Sequence, residues 1–569
     1  MLDFHKADCK NCYKCLRVCP TKAIKIKKEQ AECIAELCID CGKCLDVCPQ
    51  DAIQTISEVQ NVKNAILSGK KVIVSLAPSF AGLIERDMIG KFITALNKLG
   101  FSYIEETAIG AALVGDLYRE QSKKIRSNNI IATCCPSANL LIEQYYPSLI
   151  DSIMPFVTPM IAHGKMLKDR FGADSYVVFI GPCPAKKGEA NDSRHQVDID
   201  AVLTFDEIFN WINSRRIVLK ELEPSEFDGI ALKKGAAFPV TGGVIASFLE
   251  SEEGQYEVIH ADGIEECIAI FDSIEAGNVT GVCVEPNVCR GSCVGGVGFP
   301  KKEEDYFRRL KRVKGYVKNL ENTVISEKNV EFDSIDFTKQ FVNKYIDRRI
   351  APKEIINVIM RKMGKHDVAD ELNCATCGYD TCRDKAQAVY EGMAETNMCL
   401  PHMRTKAESL SNVMFENSPN IIIIVDEEMM VKEYNPRAEE TFHIRVKHMI
   451  DRPISIILDE EPFLEVLKSK INIIGRKKTY SEYDVTLIQT FSYLKEQNKV
   501  LAILTDITAL EEQKEELIKA KESTINAAQK VIEKQMRVAQ EIASLLGETT
   551  AETKVTLTKL KNVFIDGDV

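Results

Sequence analysis

The sequence is short of positive charge, histidine, tryptophan and long apolar runs. Of its 569 residues, 84 are Asp or Glu and 73 are Lys or Arg, for a formal net charge of -11. A duplex nucleic-acid binder carries a basic surplus, so no nucleic-acid partner is expected. The longest apolar run, Ile421 to Val425, is of buried-strand length. A membrane span needs about 18–20 apolar residues, so no membrane partner is expected either. The opening MLDFHKADCK lacks the apolar stretch of a secretory signal, which points to the cytoplasm. Eight histidines are too few for a Cys/His zinc framework, and no Walker loop or kinase motif is visible. With 45% hydrophobic and 28% charged residues, wholesale disorder is excluded.

What the chain does have is cysteine, twenty in all. In a reducing compartment, regularly spaced cysteines are metal ligands rather than disulfides. Residues 9–20, CKNCYKCLRVCP, and 38–49, CIDCGKCLDVCP, both read C-x2-C-x2-C-x3-C-P. In two-cluster ferredoxins the fourth cysteine of each run serves the other cluster. This assigns Cys9, Cys12, Cys15 and Cys48 to one [4Fe–4S] cluster, and Cys38, Cys41, Cys44 and Cys19 to a second. A zinc module would show paired cysteines instead. Cys33 fits neither quartet and is expected to be a small packed side chain, as are Cys267 and Cys283.

From about Lys70 the pattern changes. KVIVSLAPSF and YVVFIGPC read as buried strands, and residues 90–99 and 205–213 carry helical spacing. Alternation of the two predicts α/β layers. Three motifs, IATCCPSA (131–138), GPCPAKKGE (181–189) and EPNVCRGSCVGG (285–296), lie at strand or loop ends. None supplies four ligands; together Cys135, Cys183, Cys289 and Cys293 could hold one cubane.

These segments resemble the H-cluster motifs of the [FeFe]-hydrogenases, which run TSCCPxW, MPCxxKxxE and ExMxCxxGCxxGG. The flanks APS (77–79), TGGV (241–244) and DIDAVLT (198–204) also resemble that domain. The resemblance covers about residues 1–320. It implies a [4Fe–4S] cube joined to a diiron subsite with CO and cyanide ligands, reacting with H2 and protons. Cys135, Cys183, Cys289 and Cys293 match the cube ligands, and Cys293 matches the thiolate bridging to the diiron unit. Cys134 matches the proton-passing cysteine and Lys186 the cyanide-binding lysine. Glu189 and Glu285 match family acids near the site; as plain structural carboxylates they are equally well explained. Ala77, Pro78, Ser79, Thr241, Gly242 and Gly243 are expected to line the cofactor.

The departures are informative. Ala132 opens the first motif and Ala138 replaces its Trp. Gly181 and Asn287 stand where Met is expected, and Ser292 where Gly is expected. The two glutamates that lead protons outward in the family are replaced, on an ungapped placement in IGAALVGDLYREQ, by Tyr118 and Gln121. A relay needs titratable groups in hydrogen-bond reach, so slow turnover or a different proton exit is expected.

Residues 300–365 are charged and read as helical. Beyond them, LNCATCGYDTCRDKAQAVYEGMAETNMCLP (372–401) spaces cysteines C-x2-C-x4-C-x16-C. It resembles the small CxxCG iron–sulfur domain of electron-transfer complexes and corrinoid proteins. Cys374, Cys377, Cys382 and Cys399 are expected to hold another [4Fe–4S] cluster, with four-cysteine zinc as the alternative. This makes four [4Fe–4S] clusters plus the diiron unit. After residue 405 cysteine vanishes. NSPNIIIIVD, EYNPRAEETF and a terminal TDIT resemble a PAS domain. His443, a lone His on a helix, is expected to be structural rather than a haem ligand. Residues 509–546 read as a long coiled-coil-like helix with Leu510, Leu517, Ile525, Ile532, Met536, Ala539 and Ile542 on one stripe. Gly547 interrupts, and a second short helix follows, either packed on the PAS domain or free for docking.

The expected architecture is multidomain α+β and α/β. It comprises a ferredoxin-like head (1–60), a two-lobed α/β H-cluster domain (68–325), a connector (326–365), a small iron–sulfur domain (366–405), a PAS domain (406–510) and a C-terminal signalling helix and tail (511–569). The expected function is a sensory hydrogenase of low turnover, a homodimer through PAS and helix. It would exchange electrons with a redox partner such as ferredoxin and inform a signalling kinase or phosphatase. A metabolic ferredoxin-linked hydrogenase and a non-catalytic iron–sulfur redox-signalling protein are the alternatives.

Overall fold

The computed structural model describes every residue except 1, 125–126, 133, 196, 230–232, 250–255, 301–304, 321–333, 547–554 and 562–569. The chain divides into two compact units, Met1–Met403 and Arg404–Val569. Among the described residues no helix is long and apolar enough to cross a membrane.

The first unit opens with the duplicated cysteine ladder. Two short helices, Lys14–Val18 and Lys43–Val47, start at left-handed residues, Tyr13 (φ 59°) and Gly42 (φ 74°). Asn11 and Asp40, and Lys22 and Asp51, are likewise left-handed at matching places in the two repeats. Loops that coil this tightly turn backbone N–H groups inward: Ala23 N donates to Cys19 Sγ and Ala52 N to Cys48 Sγ, both at 3.3 Å.

Two parallel sheets follow. In the larger lobe, β1 (Val72–Leu76) lies between β2 (Tyr103–Glu106) and a strand at Tyr176–Gly181. Helix α1 (Ala108–Lys124) follows β2 directly, and β3 (Asn129–Ile131) then crosses to the smaller lobe. Helix α2 (Pro159–Phe171) precedes β4, the Tyr176–Gly181 strand, and β5 (Ala201–Thr204) closes the larger sheet in the order β2-β1-β4-β5. The smaller sheet is β6 (Glu257–Asp262), β7 (Val282–Asn287) and β3. This is the expected two-lobed α/β arrangement. β1 and β4 are almost wholly buried because helices cover both faces, which explains their unbroken apolar runs. The three cysteine motifs leave the C-terminal ends of β3, β4 and β7, where parallel α/β sheets place their sites.

Residues 300–365, read as helical, are only partly so. Helix α3 spans Tyr306–Asn319 and α4 spans Lys353–Lys362, whereas 338–352 is an extended strap. The strap is held by foreign backbone: Lys339 N donates to Pro155 O and Lys344 N to Glu143 O. Backbone groups satisfied by a neighbour need no helix of their own. α4 does not behave as a connector either. Its Ile356, Ile359 and Met360 pack on Ala386 of α5 (Cys382–Tyr390), so it belongs with the fourth cysteine set. α6 (Leu400–Glu416) begins at the residue after Cys399.

The second unit is a five-stranded antiparallel sheet. β8 (Ile421–Val425) turns through Asp426–Glu428 into β9 (Val431–Tyr434), and a helix starts at Pro436, as the sequence implied. The sequence reading missed β10 (Ile473–Tyr480), whose Gly475 and consecutive Arg476, Lys477 and Lys478 hide the strand pattern. β11 (Val485–Leu494) and β12 (Lys499–Asp506) complete the order β9-β8-β12-β11-β10. His443 is exposed and ends its helix in the left-handed region (φ 58°). α7 runs over Thr508–Leu546. Residues 555–561 are helical, and the break expected at Gly547 lies outside the described residues.

Candidate metal centres

The structure brings one cysteine of the second repeat to three of the first: Cys9, Cys12, Cys15 and Cys48 line one small cavity. Cys19 sits with Cys38, Cys41 and Cys44, close enough that Cys19 and Cys38 help raise the thiols of Cys41 and Cys44. Burial pushes the thiols of Cys15 and Cys41 up to about 12. Clustered buried thiolates repel one another, so such a quartet is ionised only around a cationic centre. Among the described residues no three His, Cys, Asp or Glu side chains converge tightly enough for a single metal ion. Quartets of thiols around a shared cavity fit a multi-iron cluster. Cys33, expected in the core, is instead half-buried and touches Cys38. Cys267 and Cys283 are fully buried in the apolar core.

The largest assembly lies between the two lobes. Cys135, Cys183, Cys289 and Cys293 line one cavity of about 100 Å³ together with Cys134, Lys186, Ala77, Pro78 and Ser79. Cys293 is exposed by area, yet burial pushes its thiol up to about 11; the surface it shows is cavity wall. Ser79 Oγ is buried without a protein hydrogen-bond partner. An orphaned hydroxyl and a thiol facing enclosed space both fit a group with polar ligands seated there. Lys186 Nζ is 2.7 Å from both Thr158 Oγ1 and Glu189 Oε2. Burial opposes its charge, but Glu189 overrides this and holds its pKa above the ordinary value. Burial likewise opposes the Glu189 carboxylate, and Lys186 and Lys339 keep it ionised. Lys187, the next residue in the motif, faces away and binds Val202 O and Glu207.

Other expected positions fall elsewhere. Thr241, Gly242 and Gly243 are not among the cavity-lining residues; only the following Val244 is. Their loop instead holds Glu285, which accepts from Gly242 N at 2.9 Å and Ile245 N at 3.0 Å. Glu189 and Glu285 also stand behind the wall, Glu189 supporting Lys186 and Glu285 tying two loops together.

Cys374, Cys377, Cys382 and Cys399 line a third cavity with Lys385. The sequence reading overlooked Lys385, whose only signal was its place three residues after Cys382. It is fully buried, donates to Thr396 O at 3.1 Å and faces Cys377, Cys399 and Cys382. A buried ammonium beside a cluster favours the more reduced, more negative state. This small domain is seated on the ladder. Lys22 Nζ donates to Gly378 O at 2.9 Å, Ile26 N to Met393 O at 2.8 Å, and Leu16 and Tyr379 share one core. A Cβ on Gly378 would come within 2.7 Å of Leu16, so glycine permits the approach.

Residues 70–297 match the family model described as iron-only hydrogenase large subunit, C-terminal domain. Residues 6–59 match an LdpA Fe-S cluster-binding domain, 370–401 an Fe-S cluster family and 409–475 a PAS domain. These matches support a PAS-linked, [FeFe]-hydrogenase-like family for this chain. Iron hydrogenase 1 of Clostridium pasteurianum is 29% identical over 302 residues, 43% of this chain and 53% of that protein. The periplasmic [Fe] hydrogenase large subunit of Nitratidesulfovibrio vulgaris is 29% identical over 359 residues, 52% of this chain and 85% of that one. Cytosolic iron-sulfur assembly component 3 of Mus musculus is 27% identical over 213 residues, 32% and 44% of the two chains. The chain thus spans about half the length of the first of these relatives.

Within this hydrogenase-like chain the departures from the family motifs acquire physical reasons. At Gly181 a Cβ would fall 2.6 Å from the Phe179 ring, and Phe179 itself lines the cavity. The aromatic ring fills the volume a Met at 181 would take. Asn287 and Ser292 are a coupled pair, Ser292 Oγ donating to Asn287 Oδ1 at 3.1 Å. Ser292 occupies the left-handed region (φ 56°) that suits the family's glycine. The hydrogen bond to Asn287 offsets that strain, so one substitution accompanies the other. Tyr118 is fully buried with its hydroxyl 3.8 Å from Cys134 Sγ.

Proposed function

We propose that the chain is a sensory [FeFe]-hydrogenase-like protein. It would activate H2 reversibly, H2 = 2 H+ + 2 e−, and its cluster charge state would bias the PAS unit. The observation that carries this reading is the single cavity shared by Cys135, Cys183, Cys289, Cys293, Cys134 and Lys186. Those four cysteines would hold the cube, with Cys293 also meeting the diiron unit. The bound cofactor would supply the iron at which H2 is cleaved.

The chain's own residues do the rest. Cys134 gives and takes a proton at Sγ, with Tyr118 OH at its side. Lys186, kept charged by Glu189, offers its ammonium to an anionic ligand. Ser79 Oγ offers a further hydrogen bond, and the apolar wall of Ala77, Pro78, Phe179, Phe238 and Val244 excludes bulk water. Electrons leave by the ladder: Cys41 lies near enough to Cys289 to help raise the Cys289 thiol, and Cys41 and Cys135 pack in one core. The Cys374 set adjoins the same ladder. Because α6 starts directly after Cys399 and continues to Glu416, it supports a path from that cluster toward the PAS unit. Exposed Leu510, Leu517, Val531, Val538 and Ile542 on α7 support a homodimer. A ferredoxin-type carrier and a kinase or phosphatase remain the partners this reading needs.

The altered wall at Phe179 and the Asn287–Ser292 pair favours one other reading, an iron–sulfur redox-signalling protein without the diiron unit. Infrared spectroscopy of the anaerobically reconstituted, matured chain, under argon and then H2, separates the two. Carbonyl and cyanide bands that shift with H2 are expected. Verified maturation with no such bands would leave the cluster-only reading.

A further inference from the structure

The proton exit is the part of the hydrogenase reading that the family motifs do not supply, and the inference below rests on that reading. Tyr118 replaces a carboxylate beside Cys134, but its ring is enclosed by Phe156 and Phe248, with centroids 6.0 and 5.3 Å away. The cavity wall holds another polar opening at Thr107. Thr107 Oγ1 lies 2.7 Å from Ser75 Oγ, and Ser75 Oγ lies 2.8 Å from His163 Nδ1. His163 Nε2 lies 3.0 Å from Glu105 Oε2. Glu105 in turn accepts from Arg170 at 3.1 Å and from Tyr103 OH at 3.4 Å. The Arg170 side chain is 36% exposed, so the line ends at solvent.

Three elements build this line. Ser75 on β1 and Glu105 on β2 are direct register partners. His163 comes from α2 and is wholly buried. Gly110 on α1 lets α2 approach, since a Cβ there would fall 2.6 Å from Pro159 O and 2.7 Å from His163 Cβ. Gly229 covers the outer carboxylate, where a Cβ would fall 2.0 Å from Glu105 Oε1. Four polar side chains in file through the core of an α/β sheet cost desolvation that apolar residues would not. That expense needs a use, and the file runs unbroken from the cavity to Glu105, whose partner Arg170 reaches the surface.

We propose that Thr107, Ser75, His163 and Glu105 form a proton relay between the cavity and solvent. Outward, a proton delivered to Thr107 Oγ1 by cavity water releases the hydroxyl proton to Ser75 Oγ. Ser75 passes its own to His163 Nδ1, and His163 gives its Nε2 proton to Glu105 Oε2. Both hydroxyls are regenerated, the imidazole changes tautomer, and the Glu105 carboxyl, itself 3% exposed, gives its proton to a water entering beside the part-exposed Arg170. Inward transfer reverses each hop. Ring rotation or back-transfer resets His163. Arg170 and Tyr103 position Glu105 and carry no proton.

The test uses the full matured chain with Ser75→Ala, His163→Gln and Glu105→Gln, each checked for iron content and circular dichroism. Carbonyl and cyanide bands at wild-type positions are expected in all three. H2 turnover should fall about 100-fold, the scale of a lost proton-transfer group, with a larger solvent deuterium isotope effect. In the chain without the diiron unit, conversion of Cys134 S–H to S–D in the infrared should be slower in the variants than in wild type. Turnover like wild type in folded variants with intact bands overturns the relay. If wild type shows no such bands after verified maturation, the hydrogenase reading falls separately. Thiol exchange then decides the relay alone: slowed exchange supports it and unchanged exchange overturns it. Ser75→Ala removes one atom, so a misfolded His163 variant does not spoil the test.

Discussion

The two units of the chain fill their interiors with different chemistry. Met1–Met403 holds every cysteine of the protein, and its core encloses Glu105, Glu106, His163, Lys186, Lys187, Glu189 and Lys385. In Arg404–Val569 the core is Ile421, Ile423, Val431, Phe442, Phe463, Phe491 and similar residues. Its buried polar side chains, among the described residues, are Asn435, Thr441 and Gln489, none ionisable. Asn435 is satisfied on both sides, donating to Phe415 O and Asn420 O and accepting from Ile422 N and Ala438 N. The first unit stores thiols and charges that need partners, iron among them. The second is held by apolar burial alone, which requires no cofactor.

The largest test of that contrast is anaerobic iron removal. Chelation should lower the melting temperature of the first unit by about 10 °C or more, on the order of 3–5 kcal/mol, and leave the second unit's transition in place. Scanning calorimetry with limited proteolysis checks it; a joint shift of both transitions would break the comparison. Phe491→Ala is the mirror experiment. Phe491 is 1% exposed and stacks edge-on against Phe463 at 4.9 Å, so its loss should cost the second unit about 3–5 kcal/mol while iron content stays constant.

A smaller effect comes from Glu106. Burial raises its carboxyl to about 7 from the usual 4.5, against an opposing hydrogen bond from Tyr316. The raised value means the protonated form stabilises the fold. That contribution is complete below pH 4.5 and is lost as pH rises through about 7. Glu106→Gln should remove this slope, so the variant gains on wild type by up to about 3 kcal/mol between those limits. Thermal melts across that range, read on the first unit's transition, decide it; parallel curves would show that Glu106 is ionised throughout.

Legibility differed along the chain for physical reasons. The cysteine ladder was readable because cubane ligands repeat within a few residues, and the structure brings Cys48 to the first run and Cys19 to the second. The PAS strands were readable at Ile421–Val425 and Val431–Tyr434, where a short apolar run is followed by a turn and a second short segment. β10 was not, because Gly475 and lysines interrupt its apolar face. The strap at 338–352 was misread because its charge resembles an exposed helix, whereas the helix end at Glu143 and the loop at Pro155 take its hydrogen bonds. Ser75 looked like an ordinary strand residue in KVIVSLAPSF and His163 like an ordinary helical one. Their significance depends on the register of β1 with β2 and on α2 lying above both.

By itself, then, the sequence determined which side chains could hold iron, and in which local groups, because short spacings leave the backbone few alternatives. It also determined that the cysteine-free C-terminal part folds on aliphatic burial. Only the tertiary structure decided that Lys186 faces the cavity while Lys187 turns to Glu207, since a short helix gives adjacent residues different faces. It alone set the Phe179 ring in the space a residue-181 side chain would need. It also aligned Thr107, Ser75, His163 and Glu105, because strand register and helix packing act across separations that no local pattern encodes.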